Sequence, residues 1–229
     1  MFEREHHQRI QTVLTCLNAA FLLQKQCYFG GGTAIVLLLD EYRESLDIDF
    51  LCASQAGYSA LRNTIDNASL GEIFAQPVKI LREVRADRYG IRTYLEIDGQ
   101  PVKFEIVRED RIELHGHLDP ALGVPVLERE DMFAEKLLAN ADRYNDMSTA
   151  NRDIIDLAMM ISHWGDIPAS AWERTRLVYG QSVNRAFHTA LIRVSDQSHL
   201  ASCLAKMHMA PAMAERIPAL LARNAPVAT

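Results

Sequence analysis

Two segments, Phe29-Gly30-Gly31-Gly32-Thr33-Ala34 and Arg43-Glu44-Ser45-Leu46-Asp47-Ile48-Asp49-Phe50, carry residue types from which a phosphate and metal site can be built. One apolar segment of helix length lies between them. Glycines at a turn admit φ > 0 and let backbone N–H groups approach an anion that a larger side chain would exclude. Ile35, Val36, Leu37, Leu38 and Leu39 predict a short apolar helix directly after the turn. The turn then sits at a helix N-terminus, where unpaired N–H groups and the helix dipole favour phosphate. Asp47-Ile48-Asp49-Phe50-Leu51 alternates as a strand does, which puts Asp47 and Asp49 on one face and sends Ile48 and Phe50 into a core. Two neighbouring carboxylates repel unless a cation lies between them. Mg²⁺ meets that need, because it takes one or two carboxylates and completes its octahedron with water and substrate phosphates.

Metal-dependent phosphoryl or nucleotidyl transfer often uses a third carboxylate, since two ions roughly 3.5–4 Å apart share a ligand cage. In Pro101-Val102-Lys103-Phe104-Glu105-Ile106-Val107 the apolar residues share one face and leave Glu105 on the other. If that strand lies beside the Asp47 strand with its apolar side also inward, Glu105 joins Asp47 and Asp49. A solvent-facing Glu105 paired with Lys103 fits the same pattern equally well. Further on, Lys136 and Arg143 stand seven apart on a predicted helix, nearly on one face, with Ala139 and Asn140 between them leaving room for a ligand. Lys136 suits a clamp on a triphosphate or on charge developing at an α-phosphate. Asp153 and Asp156, three apart on the next predicted helix, could orient Lys136 or Arg143 or contact an acceptor. Charges at that spacing are also common on plain solvated helix faces.

The elements that must hold these residues follow from hydrophobic periodicity. Glu3 to Lys25 repeats Ile10, Val13, Leu14, Leu17 and Phe21 at helical spacing and predicts one long amphipathic helix packed on a sheet. Tyr58 to Ala68 predicts another helix. Pro77 to Arg85, Tyr89 to Ile97 and Pro101 to Val107 predict strands, the last two joined at the tight-hairpin dipeptide Asp98-Gly99. From Glu128 the pattern turns helical: Glu128 to Tyr144, Asn151 to Trp164 and at least two later segments, punctuated by Gly165, Pro168, Gly180 and Pro211. These patterns predict an α+β chain with a mixed sheet and flanking helices over residues 1–127 and a helical bundle over residues 128–229. The tail after Asn224 is expected to fray.

With 229 residues, 48% of them hydrophobic, the chain can build a core domain with an appended helical part. No apolar run approaches the roughly 18 residues of a membrane span, and Met1 to Arg9 is charged rather than signal-like, so a cytoplasmic protein without membrane attachment is expected. Cys16, Cys27, Cys52 and Cys203 lack C-x-x-C spacing and sit among apolar neighbours, as reduced core residues do. The net charge of −6 is uneven, because Ser170 to Thr229 carries seven Lys/Arg against three Asp/Glu, +4, and leaves −10 on residues 1–169. Bulk electrostatic coating of nucleic acid is therefore excluded, while local RNA contact is not. Lys79, Arg82, Arg85, Arg88 and Arg92, broken by Glu83 and Asp87, fit either a surface for RNA phosphates or a solvated strand pair. His115-Gly116-His117, in a Gly/Pro-rich setting, reads as a loop rather than a metal pair, and Trp164 and Trp172 as core anchors around a helix–helix connection. Neither a covalent-nucleophile hydrolase pattern nor a P-loop is present.

Gly31-Gly32-Thr33-Ala34 followed by Arg43-x-Ser45-x-Asp47-Ile48-Asp49-Phe50 resembles the amino-terminal motif of the AbiEii/AbiGii-type nucleotidyltransferase toxins, within the DNA polymerase β-like nucleotidyltransferase superfamily. Phe133-Ala134-Glu135-Lys136-Leu137-Leu138-Ala139, Arg143 and Arg152-Asp153-Ile154-Ile155-Asp156-Leu157 resemble the family's lysine helix and D-x-x-D-L segment. Together the two matches cover roughly Tyr28 to Leu157 in the right order. Gly30 is one glycine more than the pattern needs and leaves the register of the turn open.

The resemblance implies a nucleotidyltransferase sheet bearing metal carboxylates and a helical part that closes over the nucleotide. It implies Mg²⁺ or Mn²⁺, an NTP substrate, a cognate antitoxin, and in some relatives a tRNA 3′ end as acceptor. On this reading Asp47, Asp49 and Glu105 hold the metal, and Gly31, Gly32 and Thr33 cradle the outer phosphates. Arg43 and Ser45 brace the turn and assist phosphate binding, Lys136 and Arg143 bind the nucleotide, and Asp153 and Asp156 support them. The expected product is RNA carrying a transferred NMP, made by a monomer. Transfer to a protein or small-molecule hydroxyl keeps the same chemistry with another acceptor. A non-catalytic partner-binding protein on the same fold is the reading from another class.

Overall fold

The computed structural model describes residues 2–226, which divide into two compact units: residues 2–37 with 45–128, and residues 38–44 with 129–226. Unit one contains α1 (Glu5–Cys16), α2 (Ala19–Gln24), β1 (Cys27–Gly30), all but the last residue of α3 (Gly31–Leu38), β2 (Asp47–Cys52) and α4 (Gln55–Asn63). It continues through β3 (Lys79–Ile80), β4 (Arg85–Ala86), β5 (Gly90–Ile97), β6 (Gln100–Arg108), β7 (Gly116–Leu118) and β8 (Pro125–Leu127). Its strands form one mixed sheet in the order β3-β5-β6-β2-β1-β8-β7, with β4 also paired to β5.

Alternation along the strands gives the sheet one apolar face. Ile48, Phe50, Ile91, Leu95, Val102, Phe104 and Ile106 are buried there, and Phe29, Phe50, Phe104 and Phe74 form a chain of ring contacts 5.3–6.0 Å between centroids. Ile10, Val13 and Leu14 of α1 join this core. At about 1.5–3 kcal/mol for each large apolar side chain withdrawn from water, this layer fixes the register of β2 and β6. A one-residue slip would turn Phe50 of β2 or Phe104 of β6 to the opposite face.

Several expected elements differ. The long amino-terminal helix is two helices, because Leu17 is extended and bridges Phe74, while the Asn18 side chain accepts from the Phe21 N–H and caps α2. The helix expected from Tyr58 to Ala68 starts earlier, at Gln55, where Ser54 accepts from the Gly57 N–H, and ends at Asn63. Pro77 to Arg85 contains only the two-residue pairings β3 and β4. His115-Gly116-His117 is not a loop: Gly116 and His117 belong to β7, which pairs antiparallel with β8, and β8 in turn pairs parallel with β1. Gly116 fits there because a Cβ would lie 2.4 Å from both the Tyr28 ring and the Val126 carbonyl. Asp98 (φ 52°) and Gly99 (φ 72°) make the expected tight turn between β5 and β6.

Unit two is helical: α5 (Arg129–Arg143), α6 (Arg152–Trp164), α7 (Ala169–Tyr179), α8 (Ser182–Ser195), α9 (Gln197–Lys206) and α10 (Ile217–Asn224). Gly165 and Gly180 adopt positive φ at the ends of α6 and α7. Trp172 is buried against Phe187, 5.2 Å between ring centroids, and Trp164 is half-buried against Phe133. The segment 38–44 is held to this unit by the Glu44 N–H, which donates to the Met207 carbonyl at 3.0 Å, and by a 2.9 Å contact between Glu44 and His208. Of the tail after Asn224, Ala225 and Pro226 are placed, with the Pro226 carbonyl 2.9 Å from His188 Nε2; residues 227–229 lie outside the described residues.

Candidate active site

The glycine turn resolves into one role per residue. Gly30 is the last residue of β1, in register with Asp49, and a Cβ there would meet Leu127 at 2.8 Å. Gly31 opens α3 at φ +68°, and a Cβ there would stand 3.1 Å from both Cβ and Oδ2 of Asp49. A glycine is therefore required twice over at Gly31, by backbone conformation and by the nearness of the carboxylate. Gly32 continues the helix, and Thr33 is buried. The Thr33 hydroxyl donates to the Asp47 carbonyl and lies 2.7 Å from the Ser45 hydroxyl. Ser45 in turn donates its N–H to Nε2 of the buried His7 at 3.1 Å. Thr33, Ser45 and His7 thus fix the entry to β2, and the Thr33 hydroxyl is committed to that bracing.

β2 and β6 are parallel neighbours, with Asp47 opposite Lys103 and Asp49 opposite Glu105, and β5 sets Arg92 opposite Glu105. A polar row therefore crosses four strands: Gly30, Asp49, Glu105, Arg92. Within it Glu105 accepts from Arg92 Nε at 2.9 Å and from Lys103 Nζ at 2.6 Å, while Asp47 lies 3.9 Å from Lys103. Burial alone would lower the Lys103 ammonium, but the hydrogen bond to Glu105 and the charges of Glu105, Asp47 and Asp49 outweigh it and raise its pKa. Asp47 and Asp49 form a donor pair of the kind Mg²⁺ accepts when phosphates and water fill the rest of its shell. Among the described residues no three His, Cys, Asp or Glu side chains gather into a metal-holding group. Glu105 is in register with the aspartates, yet its carboxylate is held by Lys103 and Arg92.

The second constellation lies wholly within unit two. Asp156, with no exposed surface, takes a fork of two hydrogen bonds from Arg43 (2.7 and 2.9 Å), a third from the Tyr42 hydroxyl (2.5 Å), and Lys136 Nζ at 2.7 Å. Lys136 also reaches Asp153 at 3.1 Å, and Arg143 grips Asp153 through two nitrogens at 2.8 and 3.0 Å. Burial pushes the Asp156 carboxyl up, but Arg43 and Lys136 overcome it and hold it far below the usual carboxylate range; Asp153 is lowered the same way by Lys136 and Arg143. Burial and the Asp156 charge raise the Tyr42 phenol, which stays protonated as a donor. Arg43 is almost fully buried and its remaining Nη1 donates to the Glu44 carbonyl at 2.8 Å, so in this arrangement its guanidinium serves Asp156 and not a phosphate. Arg143 keeps its side chain 40% exposed. One turn from Lys136, the buried Nδ2 of Asn140 makes no hydrogen bond among the described residues, a donor suited to a ligand oxygen.

Sequence reasoning missed Tyr42 and the long reach of Arg43. Both are adjacent in the chain to the β2 motif, and only the fold sets them beside Asp156.

A sheet carrying this acid row beside a glycine turn defines a nucleotidyltransferase fold, and solved structures agree. The chain is similar to the protein JHP933 from Helicobacter pylori (14% identity, TM-score 0.56, covering 97% of this chain and 93% of that one). A second Helicobacter pylori structure, described as a nucleotidyltransferase, gives 16% identity and a TM-score of 0.54 over 95% and 92% of the two chains. An antigenic nucleotidyltransferase-like protein from Paracoccidioides brasiliensis gives 17% and 0.50 over 92% of each. No match was found among curated proteins. The model of the nucleotidyl transferase AbiEii toxin family, type IV toxin–antitoxin systems, matches residues 12–223. The chain belongs to that family, and it is a nucleotidyltransferase. Among the described residues no helix is long and apolar enough to cross a membrane.

Proposed function

We propose that this nucleotidyltransferase moves an NMP from an NTP to a hydroxyl of RNA, at a tRNA 3′ end, with release of pyrophosphate, and that it acts as the toxin of a toxin–antitoxin pair. The observation that carries the reading is the juxtaposition of Gly31 with Asp49: an anion-binding helix start built against a carboxylate on an acid-bearing strand. Asp47 and Asp49 would hold Mg²⁺, which when bound supplies charge neutralisation at the transferred phosphoryl group. Gly31 and Gly32 offer backbone N–H groups to the outer phosphates, with Thr33 and Ser45 keeping the turn in place. Glu105 would complete the ligand set and take the acceptor proton, which requires it to exchange its Lys103 and Arg92 partners. Lys136, Arg143 and Asn140 would meet phosphate or base, with Asp153 and Asp156 holding the two cations in position.

Incubating the purified protein with α-labelled NTPs, Mg²⁺ and total RNA tests this directly. Transfer of label to an RNase-sensitive, protease-resistant product that disappears in Asp47→Ala is the expected result. Label that survives Asp47→Ala overturns the mechanism, and label in a protease-sensitive product overturns the acceptor.

A further inference from the structure

The outer strands of unit one, β3, β4 and β5, carry a surface that the nucleotide site does not use. Residues 79–92 hold Lys79, Arg82, Arg85, Arg88 and Arg92 against Glu83 and Asp87, on a chain whose first 169 residues are strongly acidic. Two of these cations have carboxylate partners: Lys79 pairs with Glu96, and Arg92 is spent on Asp87 and Glu105. Arg82, Arg85 and Arg88 are exposed and make no ion pair among the described residues. Arg85 stands directly opposite Arg92 in the β4–β5 pairing, and with Arg92 held by Asp87 and Glu105 the Arg85 guanidinium is left for an external anion.

The cations are interleaved with aromatic rings. The Arg82 guanidinium lies 4.3 Å from the centre of the Tyr94 ring, and that of Arg88 lies 4.6 Å from the centre of Tyr89, itself 58% exposed. Alternation on β5 puts Tyr94 on the face of Arg92, the side chain that reaches Glu105. The pairing Asp47–Lys103–Tyr94 sets Tyr94 two strands from the first aspartate, about 10 Å across the sheet. Stacking rings with arginines that have no carboxylate partner are what single-stranded nucleic acid uses, base on ring and phosphate on guanidinium. A folded acidic protein would be met by the charges alone and leave the rings unexplained.

We infer that Arg82, Arg85, Arg88, Tyr89 and Tyr94 form the docking surface for a single strand of RNA, which leads its terminal hydroxyl along the sheet face toward the Asp47–Asp49–Glu105 row. The inference rests on the RNA-acceptor reading above, and its test is binding rather than turnover, so the two fail separately. A fluorescent single-stranded RNA oligonucleotide is titrated into the Asp47→Ala protein over a range of salt, alone and combined with Arg82→Gln/Arg85→Gln/Arg88→Gln or with Tyr94→Ala. The triple substitution is expected to weaken binding at least tenfold and to reduce the slope of log K against log salt by about two units, near 0.7 for each phosphate no longer neutralised. Tyr94→Ala is expected to cost about five- to a hundredfold with little change in slope. Unchanged melting of each variant shows that the fold is intact, since every substituted side chain is at least partly exposed. Binding and slope equal to those of the parent protein overturn the surface. Failure of the wild-type enzyme to label RNA that binds normally overturns the acceptor reading instead.

Discussion

The acid row of the sheet and the charge network of the helices contain similar residue types and use them in opposite ways. Asp47 is 45% exposed at its side chain, with its nearest cation 3.9 Å away, and Asp49 lies against a glycine turn; Asp156 is fully buried and takes four donors within 2.9 Å. An exposed carboxylate in a row of mixed charges contributes little to stability and remains available to a ligand. A buried carboxylate whose partners are themselves buried cannot lose one without leaving the others uncompensated. In the proposed mechanism chemistry belongs to the first region, while the second is built to keep its own cations in place.

The largest effect that would break this contrast is expected at Asp156. Asp156→Ala leaves Arg43, Lys136 and Tyr42 buried without their shared acceptor, and a loss of about 3–5 kcal/mol in unfolding free energy should appear as a lower denaturant midpoint. A loss below about 1 kcal/mol would return Asp156 to the solvated-face reading. Glu105→Gln comes next. Its ion pairs lie in the partly exposed row, so stability should change by less than about 1 kcal/mol while NMP transfer falls about a hundredfold. Gly31→Ala should cost about 1–2 kcal/mol through its positive φ, and the Cβ pressed toward Asp49 should slow transfer as well.

Asp153 and Asp156 on one side and Lys103 on the other act at opposite ends of the pH scale. The folded pKa values of Asp153 and Asp156 lie below their unfolded ones, so their contribution to stability is complete above about pH 4 and is lost as pH falls toward and through the folded values. Asp156→Asn should flatten that acid limb. Lys103 is raised, so its smaller contribution is complete below about pH 10 and declines as pH rises through the folded value; Lys103→Met should alter only the alkaline limb. Urea midpoints measured from about pH 3 to about pH 11 separate the two.

How much of this was legible in the sequence depended on the range of the interaction that decides it. The Asp47–Asp49 alternation, the Asp98-Gly99 turn and the helices from Arg129 onward are set by neighbours in the chain, and their pattern predicted the α+β fold. The break at Leu17–Asn18 was hidden because apolar spacing runs through it, while the Leu17 bridge to Phe74 is a tertiary pairing. β7 and β8 escaped because three-residue strands carry too little periodicity, and the fit of Gly116 under Tyr28 depends on a strand far away in sequence. Arg43 looked like a phosphate ligand by its place beside the β2 motif. Its partner Asp156 is 113 residues away, and the same carboxylate, 114 residues from Tyr42, makes Tyr42 part of the network.

The β2 aspartates are proposed to do the chemistry without holding the fold. The most direct measurement pairs label transfer with the unfolding midpoint for the Asp47→Asn/Asp49→Asn protein. Transfer reduced by at least about a thousandfold, with stability within about 0.5 kcal/mol of the parent, is the expected result. Transfer at the parental rate, or transfer lost only because the protein no longer folds, would contradict it.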